Sequence, residues 1–83
     1  MLIRSPKELA LLISNQRKKL KLSQAEVGKL VGLKQQTISE FEIKPEGTKL
    51  STLFHMLGAL QLDLKIISRN SKESPKLGWT EEW

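Results

Sequence analysis

Cysteine is absent from all 83 residues, so neither a disulfide nor a thiolate metal site braces this chain. Histidine occurs once, as His55 between Phe54 and Met56, which suits a surface or partly packed residue better than a base. No glycine-rich phosphate loop and no metal-ligand spacing is present. With the usual nucleophiles, bases and metal ligands so scarce, the sequence predicts a protein that is not an enzyme and takes no cofactor. No apolar run approaches the ~20 residues of a membrane span. The opening Met-Leu-Ile-Arg-Ser-Pro also lacks a basic segment followed by an apolar one. The expectation is a soluble, cytoplasmic protein. A chain of 9.4 kDa buries only about 60% of its unfolded surface, so its core alone is marginal. Without disulfides, oligomerisation is the remaining usual route to stability.

Acidic residues are scarce in the N-terminal half. Residues 1–50 carry 10 Lys/Arg against 5 Asp/Glu, whereas residues 51–83 carry 4 of each. The net charge of +5 therefore belongs to the first half. A basic surface attracts polyanions and releases counterions when it meets phosphates. A merely solvated basic surface would give the same count.

Ser5-Pro-Lys-Glu8 reads as a helix start, with Ser at the cap, Pro in the first turn and Glu three residues on. Leu9, Leu12, Ile13, Gln16 and Leu20 then recur at helical spacing, predicting a helix over about 6–20. Arg17-Lys-Lys19 complements the negative end of its dipole. Ser23-Gln-Ala-Glu26 is a capping box for a second helix with Val27, Leu30 and Val31 inward. Gly32-Leu33 makes the turn and leads into Lys34-Gln-Gln-Thr-Ile-Ser39, where a second capping box is expected for a helix over about 35–42 with Ile38 and Phe41 inward. Pro45 and Gly47 make 43–48 a loop. A fourth helix follows over about 49–60, with Leu50, Leu53, Phe54, Leu57 and Leu60 as its buried stripe. The period then changes to two. Leu62, Leu64 and Ile66 alternate with Asp63 and Lys65, which reads as one short strand with no partner strand in the chain. A second copy of the protein is the nearest partner for it, and an extended segment packed on the helices is the alternative.

The third helix separates into two faces at 100° per residue. Gln35, Gln36, Ser39, Glu40 and Ile43 lie opposite Ile38 and Phe41. Glutamine can bond adenine N6 and N7 together, Lys reaches guanine O6 and N7, and Ser donates or accepts. Lys34, Gln35, Gln36 and Ser39 therefore suit base edges, since the N-terminal end of such a helix enters the major groove. Gln24, in the first turn of the second helix, is placed for a phosphate, and Thr37, Lys44 and Lys49 are further phosphate candidates.

Leu22-Ser-Gln-Ala-Glu26, Val31-Gly-Leu33, Thr37-Ile-Ser39 and Phe41-Glu42 make residues 13–60 resemble the phage-repressor (Cro/C1, or XRE) class of helix-turn-helix domains. That resemblance implies that Gln35, Gln36 and Ser39 face bases, that Gln24 grips the backbone, and that Arg17 pairs with Glu42 to tie the first helix to the third. Three positions depart from the class. Lys21 replaces a glycine, which implies a strained left-handed residue; Gly28 replaces an alanine; and Glu40 puts a carboxylate on the DNA-facing side.

The strand, the polar run from Arg69 and the terminal Glu82-Trp83 extend the resemblance to the HipB antitoxins of HipBA-type toxin–antitoxin modules. So do Leu33-Lys-Gln-Gln-Thr-Ile-Ser-Glu-Phe-Glu42 and Thr48-Lys-Leu-Ser-Thr-Leu-Phe54. This implies a homodimer closed by pairing of Leu62, Leu64 and Ile66 with their mates. It also implies repression of its own operon at a palindromic operator, and a HipA-like serine/threonine kinase toxin as partner. Trp83 would dock on that kinase; Trp79 has no counterpart in the resemblance and is a separate candidate for a second anchor. The expected fold is mainly all-α: a four-helix phage-repressor-like domain with its dimerising strand over 1–68, then a flexible tail over 69–83. Tryptophan on a disordered tether suits an interface hot spot; a tail folded back on the domain, or a degradation signal, are the alternatives. The other functional readings are a stand-alone phage-like repressor and a protein-interaction module with secondary DNA binding.

Overall fold

Ser5 starts the chain's first helix by accepting the Glu8 N–H at 3.1 Å, while the Glu8 carboxylate takes the Arg4 N–H. In the computed structural model, which describes residues 2–69, four helices follow one another: α1 (Pro6–Lys19), α2 (Gln24–Val31), α3 (Gln35–Ile43) and α4 (Leu50–Ala59). A single 3₁₀ turn, Pro45–Gly47, links the last two. At α2 the capping box is complete: Ser23 Oγ accepts from Glu26 N at 3.0 Å and Glu26 Oε1 from Ser23 N at 2.7 Å. The Ser23 backbone N–H, with help from the Ser23 hydroxyl, holds the Glu26 carboxyl below its ordinary value. The capped start expected for α3 is not made, because Lys34 at the N-cap has no oxygen to offer and makes no side-chain cap bond.

Three helices end alike. After α1, Lys21 N donates to Lys18 O and Leu22 N to Arg17 O; after α4, Gln61 N donates to Gly58 O and Leu62 N to Leu57 O. After α2, Leu33 N donates to Gly28 O at 2.8 Å. Each closure needs a residue in the left-handed region, and these are Lys21 (φ 60), Gly32 (φ 75) and Gln61 (φ 59). The strain expected at Lys21 is present, and Gln61 shares it. Glycine at position 28 has its own reason: a Cβ there would lie 2.6 Å from the Leu33 carbonyl oxygen, so α2 and the turn meet without a side chain between them.

The core is Ala10 and Ile13 of α1, Val27 of α2, Ile38 and Phe41 of α3, and Met56, Leu57 and Leu60 at the α4 end. Leu9, Leu20, Leu22, Val31, Leu33, Leu53 and Leu62 pack around it. Burying each large side chain contributes roughly 1.5–3 kcal/mol. Gln16 reaches into this core and donates to the Leu60 carbonyl at 3.0 Å, tying α1 to the end of α4.

Two expected faces are corrected. Along α4 and its C-cap the inward set is the partly buried Leu53 and the buried Met56, Leu57 and Leu60, spaced i, i+3, i+4 and i+7, whereas Leu50 and Phe54 are 68% and 51% exposed. Phe54 lies about 100° round the helix from Leu53, past the edge of the contact, and Leu50 overhangs it at the first turn. In α2 the inward face runs through Val27 and Gly28, which leaves Leu30 61% exposed. Residues 62–68 form no strand among the described residues. Leu62 belongs to the closure of α4 and packs on its own core, while Leu64, Ile66 and Ile67 are exposed. The fold is thus all-α over the described residues, four helices with α2 and α3 as a helix-turn-helix pair.

Candidate nucleic-acid interface

The turn Gly32–Leu33 sets α3 across α2 with its N-terminal end outward. Lys34, Gln35 and Gln36 are all exposed there, and Ser39, one turn further on, is half-exposed beside them. The four side chains expected to meet bases are therefore brought to one end and one face of a single helix. Ile38 and Phe41, on its other face, are buried and fix its rotation. Glu40 shares the exposed face, where Gln36 Nε2 donates to Glu40 Oε2 at 3.3 Å. Ile43, at its far end, is 73% exposed.

Beneath that face lies an ionic network. Arg17 Nε donates to Glu42 Oε2 at 2.7 Å and Arg17 Nη2 to Glu42 Oε1 at 3.0 Å, a two-pronged pair with side chains 11% and 9% exposed. Arg17 Nη1 donates to the Leu22 carbonyl at 2.9 Å. Burial pushes the Glu42 carboxyl up, but bonds from Arg17 and Gln24 and the charges of Arg17 and Lys18 outweigh it, leaving the group below its ordinary value. The same bond to Glu42 raises the Arg17 guanidinium above an already high value. The pair implied by the resemblance is thus present, and it joins α1 to α3.

Sequence reasoning missed the third member. Gln24 Nε2 donates to Glu42 Oε1 at 3.0 Å, so this half-buried amide is braced from below. One of its two N–H donors is used, and the other remains for a phosphate. No local signal marks this bond, since its partners are 18 residues apart.

The other phosphate candidates stand at helix ends. Lys49 is the N-cap of α4, as Lys34 is of α3, and neither helix start has a side-chain cap. Each therefore presents outward N–H groups and the positive end of a dipole with an ammonium nearby, an arrangement that an anion relieves. Lys44, the C-cap of α3, is exposed and Thr37 half-buried. Leu64 and Ile66 stand in the exposed segment after α4. Trp79 and Trp83 lie outside the described residues. None of the described helices is long and apolar enough to cross a membrane.

Comparison with known proteins bears on this geometry directly. Residues 13–67 match the model of the helix-turn-helix family. Antitoxin HipB of Escherichia coli (strain K12) is 39% identical over 82 residues, covering 93% of this chain and 93% of that protein. Two solved structures superpose closely. A HipB–O4 20mer complex gives a TM-score of 0.79 at 36% identity, covering 83% of this chain and 97% of that one. A HipA–HipB–O2–O3 complex gives 0.80 at 36% identity, with the same coverage.

Proposed function

The chain belongs to the helix-turn-helix family and within it to the HipB antitoxins, and we propose that it is a homodimeric operator-binding repressor that also holds a HipA-like serine/threonine kinase toxin. One observation carries the DNA half of this reading: Lys34, Gln35, Gln36 and Ser39 share the outward N-terminal end of α3, on a helix locked to α1 and α2 by Arg17, Glu42 and Gln24. Donors and acceptors on a rigid element suit base edges in the major groove. Gln24, Thr37, Lys44 and Lys49 surround that end as phosphate contacts, which set register and supply affinity. The solved complexes of HipB with an O4 20mer and of HipA, HipB, O2 and O3 support both partners.

Support for the homodimer comes from the face between α2 and α4. Leu30 and Phe54 line one shallow apolar groove between α2 and α4, and Leu50, Leu64, Ile66 and Ile67 are exposed as well. The helix α4 carries no Lys, Arg, Asp or Glu, so this face suits a second copy better than it suits DNA. In the dimer, Leu64 and Ile66 pair with their mates as a two-stranded lid, with Leu62 anchoring its near end. Trp83, with Trp79, is the docking segment for the kinase.

The direct experiment is a pull-down with the full chain and with a chain stopped at Lys76, alongside gel shifts on operon-upstream DNA. A kinase recovered only by the full chain, with both chains shifting the same DNA, supports the whole reading. Recovery by both chains removes the tail assignment, and loss of the DNA shift removes the repressor.

A further inference from the structure

We propose that Glu40 is itself a base-reading residue, accepting from the exocyclic amino group of a cytosine in each operator half-site, with Gln36 fastened beside it. The inference rests on the DNA-binding reading above. Glu40 is exposed on the face of α3 that carries Gln35, Gln36 and Ser39, and it holds Gln36 Nε2 at 3.3 Å. The other carboxylate of this helix, Glu42, is turned inward onto Arg17. Glu40 is thus the one acid of α3 that meets a docked duplex.

A carboxylate brought into a groove walled by phosphates is repelled for every sequence, and it has no donor with which to compensate. The major groove offers two exocyclic amino donors, and adenine sets its N7 acceptor beside N6, so the matching partner for a carboxylate is the cytosine N4 amino group. Glu40 therefore acts mainly by penalty, since any half-site without a donor at that place leaves a charge desolvated and unpaired. The bond from Gln36 sharpens the choice. It uses one of the carboxylate's several lone-pair sites and one of the two Gln36 N–H groups, leaving an acceptor on Glu40 and a donor and acceptor on Gln36. The two polar heads lie 3.3 Å apart, close to the rise of about 3.4 Å between successive bases, so they suit neighbouring base pairs. The pair reads as one unit rather than as two free rotors.

The test is selection of bound DNA from a randomised duplex library, using the full-length wild type, Glu40→Gln and Gln36→Ala at one fixed salt concentration. The wild type should enrich a C·G pair at one symmetric position of its half-sites. Glu40→Gln should lose that preference by about tenfold, drifting towards adenine, while binding mixed-sequence duplex more tightly than the wild type does. Gln36→Ala should alter the neighbouring position. Because Glu40 is exposed, its thermal midpoint should not move, and opposite signs for preferred and mixed DNA are not what a structural defect gives. An unchanged set of selected bases for Glu40→Gln overturns the proposal and leaves the repressor reading standing. A wild type that enriches no sequence at all overturns both.

Discussion

Arg17 and Glu42, 25 residues apart in the chain, meet through two hydrogen bonds of 2.7 and 3.0 Å and so clamp the recognition helix to α1. Because Glu42 also accepts from Gln24, one carboxylate fixes the angle of α3 and the pose of a candidate phosphate contact on α2. If Gln24 holds a phosphate as proposed, stability and DNA binding are coupled at that group.

Removing one partner strands the other nearly buried, which for such pairs costs about 3–5 kcal/mol. A domain of this size holds roughly 5–10 kcal/mol in all, so Arg17→Ala should be severely destabilised in urea melts. The pH dependence has a definite sign. The Glu42 carboxyl lies below its ordinary value in the folded chain, so its share of stability is present above the unfolded pKa of about 4.3 and is lost as pH falls through the folded value. Arg17 stays charged throughout the working range and adds no slope there. The Glu42→Gln variant should therefore be weaker than wild type at neutral pH and converge with it in acid. Parallel curves down to low pH would remove Glu42 from the account.

The left-handed closures make a prediction of the opposite sign. Lys21 and Gln61 hold φ values of 60° and 59° with side chains that disfavour them, at about 1–2 kcal/mol each. Glycine relieves that strain but gains unfolded-state entropy, so Lys21→Gly and Gln61→Gly should each stabilise by about 0.5–1 kcal/mol. At Gly32, already left-handed at φ 75, alanine should destabilise by about 1 kcal/mol although open space surrounds the position. Thermal midpoints of the three variants check both directions.

How far these features were legible depends on whether their cause is local. Ser5, Ser23 and Gly32 announce helix ends by their own chemistry, so α1, α2 and the turn were readable. The recognition face of α3 was readable from periodicity, because Ile38 and Phe41 leave only one way for the helix to lie. Phe54 and Leu50 misled because apolar character does not say which edge of a helix its neighbours reach, while Met56, fully buried, looked unremarkable. Gln61 carries no glycine to mark its turn, and the Gln24–Glu42 bond depends on packing alone. Residues 62–68 form no strand among the described residues, because alternation of Leu62, Leu64 and Ile66 with polar neighbours does not by itself supply a ladder partner.

Base reading at the start of α3 separates two neighbours. Gln35→Ala should cost about 1–3 kcal/mol at one operator base pair and relax the preference there. Lys49→Ala, at an uncapped helix start away from α3, should weaken all duplexes alike and reduce the salt slope by about one. Titrations against matched and mismatched duplexes at several salt concentrations distinguish the two. Equal loss on every sequence for Gln35→Ala would make it a phosphate contact.

Dimer formation can be tested on each side of the proposed contact. Leu64 is 48% exposed in a segment that forms no strand among the described residues, and Phe54 is 51% exposed beside Leu30 over a charge-free helix. If the lid and the α4 face act together, Leu64→Lys and Phe54→Glu should each shift sedimentation towards the monomer without lowering helix content, since neither side chain belongs to the core. DNA protection should follow mass. The dimer should cover two half-sites about 34–36 Å apart, or a multiple of that spacing, and the monomeric variants should lose the paired footprint first. If Leu64→Lys keeps the mass and Phe54→Glu reduces it, the copies join through α4 without the lid; the reverse result makes the strand the sole contact.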